Sequence, residues 1–323
     1  MNYETRLISF LENSFLKPLL EDKNVTDISY NGESIFYMDN RYGRKQSDIE
    51  IENDEVGDFL RQIANFSEKQ FSYMEPILDV SFSRYRLNAT FLSLTRVNNH
   101  KSYSFALRIA SSGSAVENST DFFPPNTREI LLEAIKRNES IVIGGETGCG
   151  KTELQKFLLL HLPKYTRIVV IDNVQELELS RGDGTLDMTS WLVDERNPKA
   201  SFPALIRNAL RNNPDYLLVA ESRGPEMVDA LNAVMSGHPL ITTLHAKDAS
   251  AIPHRMARMA MQAGKNLVYE ELISDIFHHF SLMVYLRRSI REDGTIYRRI
   301  SEMGRLNEKD RKIDYIYQED ENP

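Results

Sequence analysis

The residues with the most chemical content sit in one stretch, Gly145-Glu146-Thr147-Gly148-Cys149-Gly150-Lys151-Thr152. It fits the pattern G-x-x-x-x-G-K-[ST] without a mismatch. The glycines let successive backbone N–H groups curl around an anion, the lysine reaches phosphate oxygens, and the threonine hydroxyl can ligate Mg²⁺. The residues expected at the phosphates are Gly145, Thr147, Gly148, Cys149, Gly150, Lys151, Thr152 and Glu153. A helix opening here adds its positive dipole end. The apolar run Ile141-Val142-Ile143 before the loop and the helical pattern from Glu153 to His161 after it supply the strand–loop–helix context.

Phosphoryl transfer also needs acids, one to hold Mg²⁺ through its water shell and another to orient the attacking water. Glu221 ends the apolar run Tyr216-Leu217-Leu218-Val219-Ala220, and Asp172 and Glu176 follow the run Ile168 to Ile171. The metal set read from the sequence is Thr152, Glu221 and Asp172. A fourth apolar run, Leu240 to Thr243, leads into Leu244 and His245. Strands alternating with helices imply a parallel sheet, and ligands bind beyond the carboxyl ends of such strands. Four strands thus aim chemistry at one edge.

The elements that position this edge fall into two parts. Residues 1–110 read as a smaller α+β domain. Leu7, Ile8, Leu11, Phe15, Leu16 and Leu19 keep helical spacing from Tyr3 to Leu20, and strand patterns follow at Asp27 to Tyr30 and Ser34 to Met38. A helix pattern spans Asp54 to Phe66, and alternating segments run from Val80 to Phe91 and Ser104 to Ile109. The opening helix carries Glu4, Arg6, Glu12 and Lys17, not a basic face, so it is expected to pack on its own domain and not on a membrane. Residues 111–125, rich in Ser, Gly and Asn, read as a linker, and 126–323 as the α/β domain, opening with a helix start at Asn126 and Glu129. Near the end, Leu282 to Leu286 and Thr295 to Ile300 form an expected hairpin turning at Asp293-Gly294, and the charged tail after Arg305 is expected to be mobile.

Bulk properties narrow the class. With 323 residues, 41% hydrophobic and 27% charged, the chain has the composition of a soluble globular protein of about two domains. No apolar run reaches the roughly 18 residues a membrane span needs, and the N-terminus lacks a secretion-signal pattern. One cysteine, Cys149, excludes a disulfide framework and suits a reducing cytoplasm. A net charge of −8 argues against a generally basic nucleic-acid binder, and sequence-specific nucleic-acid binding is not expected.

Four segments in order resemble the secretion and type IV pilus "traffic ATPase" family: the loop from Gly145 to Thr152; an acidic box, Asp172-Asn173-Val174-Gln175-Glu176-Leu177; a segment from Leu210-Arg211-Asn212-Asn213-Pro214-Asp215 to Glu221-Ser222-Arg223; and a histidine box, Gly237-His238-Pro239-Leu240-Ile241-Thr242-Thr243-Leu244-His245-Ala246. The resemblance implies a RecA-like P-loop ATPase domain after a PAS-like α+β domain, with ATP and Mg²⁺ as cofactors. It implies that Lys151, Glu176 and Glu221 are catalytic and that His245 contacts the γ-phosphate region. Segments around Arg84-Tyr85-Arg86, Arg96 and Phe105-Ala106-Leu107-Arg108 resemble the family's arginine-bearing strands, which makes Arg96 and Arg108 candidates to stabilise charge in phosphoryl transfer. It further implies a homohexamer in the cytoplasm, peripheral to the inner face of the membrane and working with inner-membrane components. A type IV secretion or conjugation motor, a pilus assembly or retraction motor, and a non-hydrolysing scaffold remain open. Asp172 stands where the family usually has Glu, Asn173 where it has Asp, and Asn213 where a second arginine is frequent; these changes point to an active but slower enzyme. Cys149 replaces a common Ser and is expected to make the loop sensitive to thiol reagents.

Overall fold

Alternation of buried and exposed side chains decides the first unit, and double burial decides the second. The computed structural model describes residues 3–110, 113–173, 176–177, 185–194, 197–264 and 266–319. The chain forms two units, Met1–Ser112 with Ile290–Ile296, and Gly113–Ser289 with Tyr297–Pro323.

The first unit begins with helices α1 (Tyr3–Glu12) and α2 (Lys17–Leu20), strands β1 (Val25–Tyr30), β2 (Ile35–Asp39) and β3 (Gly43–Gln46), and helix α3 (Asn53–Phe66). Strands β4 (Ile77–Phe82), β5 (Tyr85–Thr90), β6 (Arg96–Val97), β7 (His100–Lys101) and β8 (Ser104–Ile109) follow. Six of them make an antiparallel sheet in the order β3-β2-β1-β8-β5-β4. In β4 exposure alternates strictly, so Leu78, Val80 and Phe82 point inward. Leu7 and Leu11 of α1 are fully buried, and Phe10 stacks on Phe59 of α3 at 5.6 Å, so the opening helix packs within its own unit. The single helix expected from Tyr3 to Leu20 breaks after Glu12. Pro18 has no N–H with which to continue a helix, but its fixed φ suits the first turn of a new one. The alternating stretch from Val80 to Phe91 is a hairpin turning at Ser83, whose φ is +48°.

The second unit contains α4 (Thr127–Lys136), β9 (Ile141–Gly145), α5 (Lys151–His161), β10 (Arg167–Asp172), β11 (Asp187–Leu192), α6 (Phe202–Ala209), β12 (Tyr216–Val219), α7 (Met227–Met235), β13 (Leu240–Leu244), α8 (Ala251–Met261) and α9 (Tyr269–His279). It closes with β14 (Leu282–Ile290), β15 (Ile296–Asn307) and β16 (Lys312–Gln318). The sheet order is β11-β10-β12-β13-β9-β14-β15-β16, parallel from β11 through β14. Its central strands β9, β10, β12 and β13 are buried on both faces, while the edge strands β11 and β16 are largely exposed. Val142, Val169, Leu217 and Val219 meet α6 to α9 on one side, while Ile141, Ile143, Ile168, Val170 and Leu218 meet α4 and α5 on the other. The unit is therefore an α/β fold with a parallel-rich sheet, as expected.

Three local expectations change. Asn126 sits in the left-handed region with no side-chain cap; Thr127 instead donates both its N–H and its hydroxyl to Pro124 O. Residues 113–125 are not a bare linker, since Val116 and Phe122 are buried in this unit's core. The tail after Arg305 is not mobile up to residue 319: β15 runs to Asn307 and β16 pairs with it antiparallel. A Cβ on Gly304 would come within 2.3 Å of Ile313 Cγ2 and 2.8 Å of Asp314 O, so glycine is what lets the two strands approach. Among the described residues no helix is long and apolar enough to cross a membrane.

Candidate functional site

The turn leaving β9 is shaped by its glycines. Gly145, Gly148 and Gly150 all have positive φ, and Gly150 is the residue before the first turn of α5. A side chain on Gly145 would press within 2.5 Å of Cys149 Sγ and 2.7 Å of the backbone oxygen of Leu286. Only a bare α-carbon lets the loop turn this tightly between β14 and the start of α5. Lys151 leans back over the loop, its Nζ donating to Gly145 O at 2.9 Å and Glu146 O at 2.8 Å. Among the described residues it makes no ion pair. Burial pulls its ammonium below the ordinary lysine value, partly countered by the nearby Cys149 and Glu221. A half-buried cation with carbonyl partners only, beside a glycine cradle at a helix N-terminus, fits a polyanionic ligand such as a nucleotide's phosphates.

Across the sheet edge, Glu221 follows β12. Its Oε2 accepts from Arg223 Nη2 at 2.7 Å, and His245 Nε2, just past β13, lies 3.0 Å from its Oε1. Burial pushes the Glu221 carboxyl up, but the Arg223 hydrogen bond and the charges of Arg223, His245 and Lys151 outweigh it and hold the group below the usual carboxylate range. The ends of β12 and β13 are locked together. Thr243 Oγ1 donates to Ala220 O at 2.8 Å, Ser222 N to Thr243 O at 2.8 Å, and the Ser222 and Thr242 hydroxyls meet at 3.0 Å. Gln155 on α5 donates to Val219 O at 3.1 Å and ties the loop helix to the same strand. An open cleft of about 800 Å³ runs from Glu146 and Thr147 past His245 and Lys247 to Arg255 and Arg258 of α8.

The loop, Lys151, Glu221 and His245 thus gather at one edge, the position read from the sequence. Thr152 lies in the first turn of α5. Two other expected residues are engaged elsewhere. Glu153 Oε1 accepts from the buried Lys156 and its Oε2 from Ala115 N, which anchors the 113–117 segment. Asp172 is buried, and its Oδ2 accepts from Glu176 N at 2.9 Å and Leu177 N at 3.3 Å. It therefore braces the turn that carries Glu176, and among the described residues no cluster of three metal-binding side chains forms. Val174 and Gln175 of the acidic box lie outside the described residues. Arg96 and Arg108 belong to the first unit; Arg108 faces Arg86 and Asp27 across neighbouring strands. Cys149 is fully buried, and burial pushes its thiol up, so the expected sensitivity to thiol reagents has no exposed thiolate behind it. The sequence placed Arg223 at the end of the segment from Leu210 but gave it no role, and it gave no signal for Arg298, whose Nε donates to Gly148 O at 2.7 Å.

The sequence profile described as type II/IV secretion system protein matches residues 96–284, more than half of the chain. The chain belongs to this family. Two relatives and one solved structure are similar to the chain. An uncharacterized protein of Bacillus anthracis is 28% identical over 280 residues, covering 85% of this chain and 62% of its own length. The type IV secretion system protein VirB11 of Brucella suis biovar 1 is 34% identical over 178 residues, covering 54% of this chain and 49% of its own. The chain thus spans less than two thirds of these relatives. The X-ray structure of the Legionella pneumophila ATPase DotB shares the fold, with a TM-score of 0.70 at 22% identity, covering 95% of this chain and 82% of that one. The matched stretch of the secretion-family profile includes the loop, Glu221, Arg223 and His245, and ends before Arg298.

Proposed function

We propose that this chain is a Mg-ATP hydrolase that works as a ring-forming motor, a homohexamer, of a type IV secretion or conjugative transfer system. The observation that carries the reading is the meeting of Lys151 and its glycine loop with an ionised Glu221 held by Arg223 and His245 at one sheet edge. The 34% identity to a VirB11 protein supports the choice of machine.

In this reading the loop N–H groups bind the β- and γ-phosphates, and Lys151 leaves its two carbonyls to pair with them. The Thr152 hydroxyl and the Glu221 carboxylate would hold Mg²⁺, which would supply charge neutralisation at the phosphates. Glu221 orients the attacking water, Glu176 assists from the turn that Asp172 braces, and His245 senses the γ-phosphate. Water adds to the γ-phosphorus and the bond to ADP breaks, giving ADP and inorganic phosphate. Arg108 and Arg96 contribute guanidinium charge as the phosphoryl group transfers. Partners are inner-membrane components of the machine, at the cytoplasmic face.

The test is steady-state phosphate release with Mg-ATP beside Lys151→Ala and Glu221→Gln. Glu221→Gln is expected to lower kcat by about 10²- to 10⁴-fold while nucleotide still binds. Lys151→Ala is expected to lose nucleotide binding. Tight binding without turnover in the wild-type protein would instead identify a scaffold.

A further inference from the structure

We infer that Arg298 is a positioning residue of the nucleotide loop, fixing the direction of one loop peptide from a position beyond the residues 96–284 that match the family profile. The inference rests on the nucleotide-site reading above for its function but not for its geometry.

Arg298 lies on β15, and its Nε donates to the carbonyl oxygen of Gly148 at 2.7 Å. Its side chain lies along the loop as well, since a Cβ built on Gly150 would come 3.8 Å from Arg298 Cδ. Gly148 C=O and Cys149 N–H belong to one planar peptide, and none in the described chain is cis. In a trans peptide these two groups point in opposite directions. An arginine that holds Gly148 O therefore turns the Cys149 N–H to the opposite side of the loop. Gly148, at φ +75° with no atom within 4 Å of where a Cβ would stand, has neither side-chain contacts nor a restricted backbone to set that direction itself. The guanidinium hydrogen bond is the fixing element. An anion-binding nest needs successive N–H groups aimed at one point before the anion arrives, because a misaimed amide costs affinity on binding.

The chemistry divides between two cations. Lys151 holds Gly145 O and Glu146 O and must release them to meet phosphate. Arg298 holds Gly148 O from β15, and nothing in the reaction requires it to let go. One is a ligand that moves; the other keeps the loop in shape while it does.

The experiment compares wild type, Arg298→Ala and Arg298→Lys in two measurements. Amide hydrogen exchange of the peptide covering 146–152 is followed without nucleotide, and KM and kcat for Mg-ATP are measured separately. Arg298→Ala is expected to speed loop exchange and raise KM, each by about tenfold, with kcat nearly unchanged, because the charge-assisted hydrogen bond to Gly148 O is lost. Arg298→Lys, which still offers a cationic donor, is expected to restore most of both. Exchange elsewhere in the sheet separates this from unfolding. Wild-type exchange in Arg298→Ala, or a loss confined to kcat in both variants, overturns the inference; the latter would place the guanidinium on the phosphate itself. A wild-type protein that binds no nucleotide would defeat the functional reading, and loop exchange would still decide the role of Arg298.

Discussion

Lys151 is a half-buried cation whose ammonium is pulled below the ordinary lysine value by burial. Its protonated form is the one that pairs with phosphate, so affinity should follow its titration. Nucleotide binding is expected to weaken as pH rises, starting below the ordinary lysine value of 10.5, and this is read from the dissociation constant of a fluorescent ADP analogue between pH 7 and 10. The control is Glu221→Gln, which removes one of the charges that hold Lys151 up and should move the midpoint lower still. Cys149 makes the opposite kind of statement. It occupies the loop yet has no exposed surface, and its thiol is pushed up by burial. Iodoacetamide at pH 8 is expected to modify it at least about tenfold more slowly than a free cysteine, with full reactivity regained in denaturant, as mass spectrometry would read. Rapid modification of the folded protein would mean that the loop opens far more than its packing implies.

At the scale of elements, the sheet edge works because short strands end together and are tied there. Ala220, Ser222, Thr242 and Thr243 lock β12 to β13 by hydrogen bonds, and Gln155 locks α5 to β12. Glu221 and His245 are therefore carried by fixed backbone. The β15–β16 ribbon depends on Gly304 in the same steric sense. Gly304→Ala must displace Ile313 and the Asp314 backbone, and is expected to cost about 1–3 kcal/mol, seen as a lower denaturant midpoint with an unchanged m-value. Because β15 also carries Arg298, that substitution is expected to raise KM for Mg-ATP more than it lowers kcat. Equal effects on both would argue that the ribbon is only a scaffold.

For the whole molecule, the reading of a ring motor makes assembly and turnover one question. Light scattering with Mg-ATP is expected to give a mass near six times 37.2 kDa, and Arg108→Ala is expected to lower kcat by about tenfold or more while leaving that mass in place. A monomer with full turnover would sink the ring, and unchanged kcat in Arg108→Ala would remove the arginine from the chemistry.

Legibility followed locality. The Gly145–Thr152 loop, the four central strands and the position of Glu221 and His245 at their ends could be read directly. Each depends on a short pattern: glycine spacing, an apolar run buried on both faces, an acid at a strand end. In the first unit the segments of β1, β2, β5 and β8 could be read from their local patterns, whereas β3 (Gly43–Gln46) could not, and the Val80–Phe91 segment gave no sign of the turn at Ser83 that splits it between β4 and β5. Strand β11 escaped because Asp187–Leu192, at the sheet edge, has no apolar run, and β16 because its charges hid the alternation of Ile313, Tyr315 and Tyr317. Asp172 and Glu153 have the right type and place for a site, and only tertiary structure shows their carboxylates committed to the Glu176 turn and to Lys156 and Ala115. Arg298 lies 150 residues along the chain from the carbonyl it holds. Which chemistry the loop offers was legible in eight consecutive residues, Gly145 to Thr152, because that chemistry resides in neighbours along the chain. Which distant side chains complete or leave the site was decided only when the sheet brought β15 beside the loop, since hydrogen bonds act over about 3 Å of space whatever the separation along the chain.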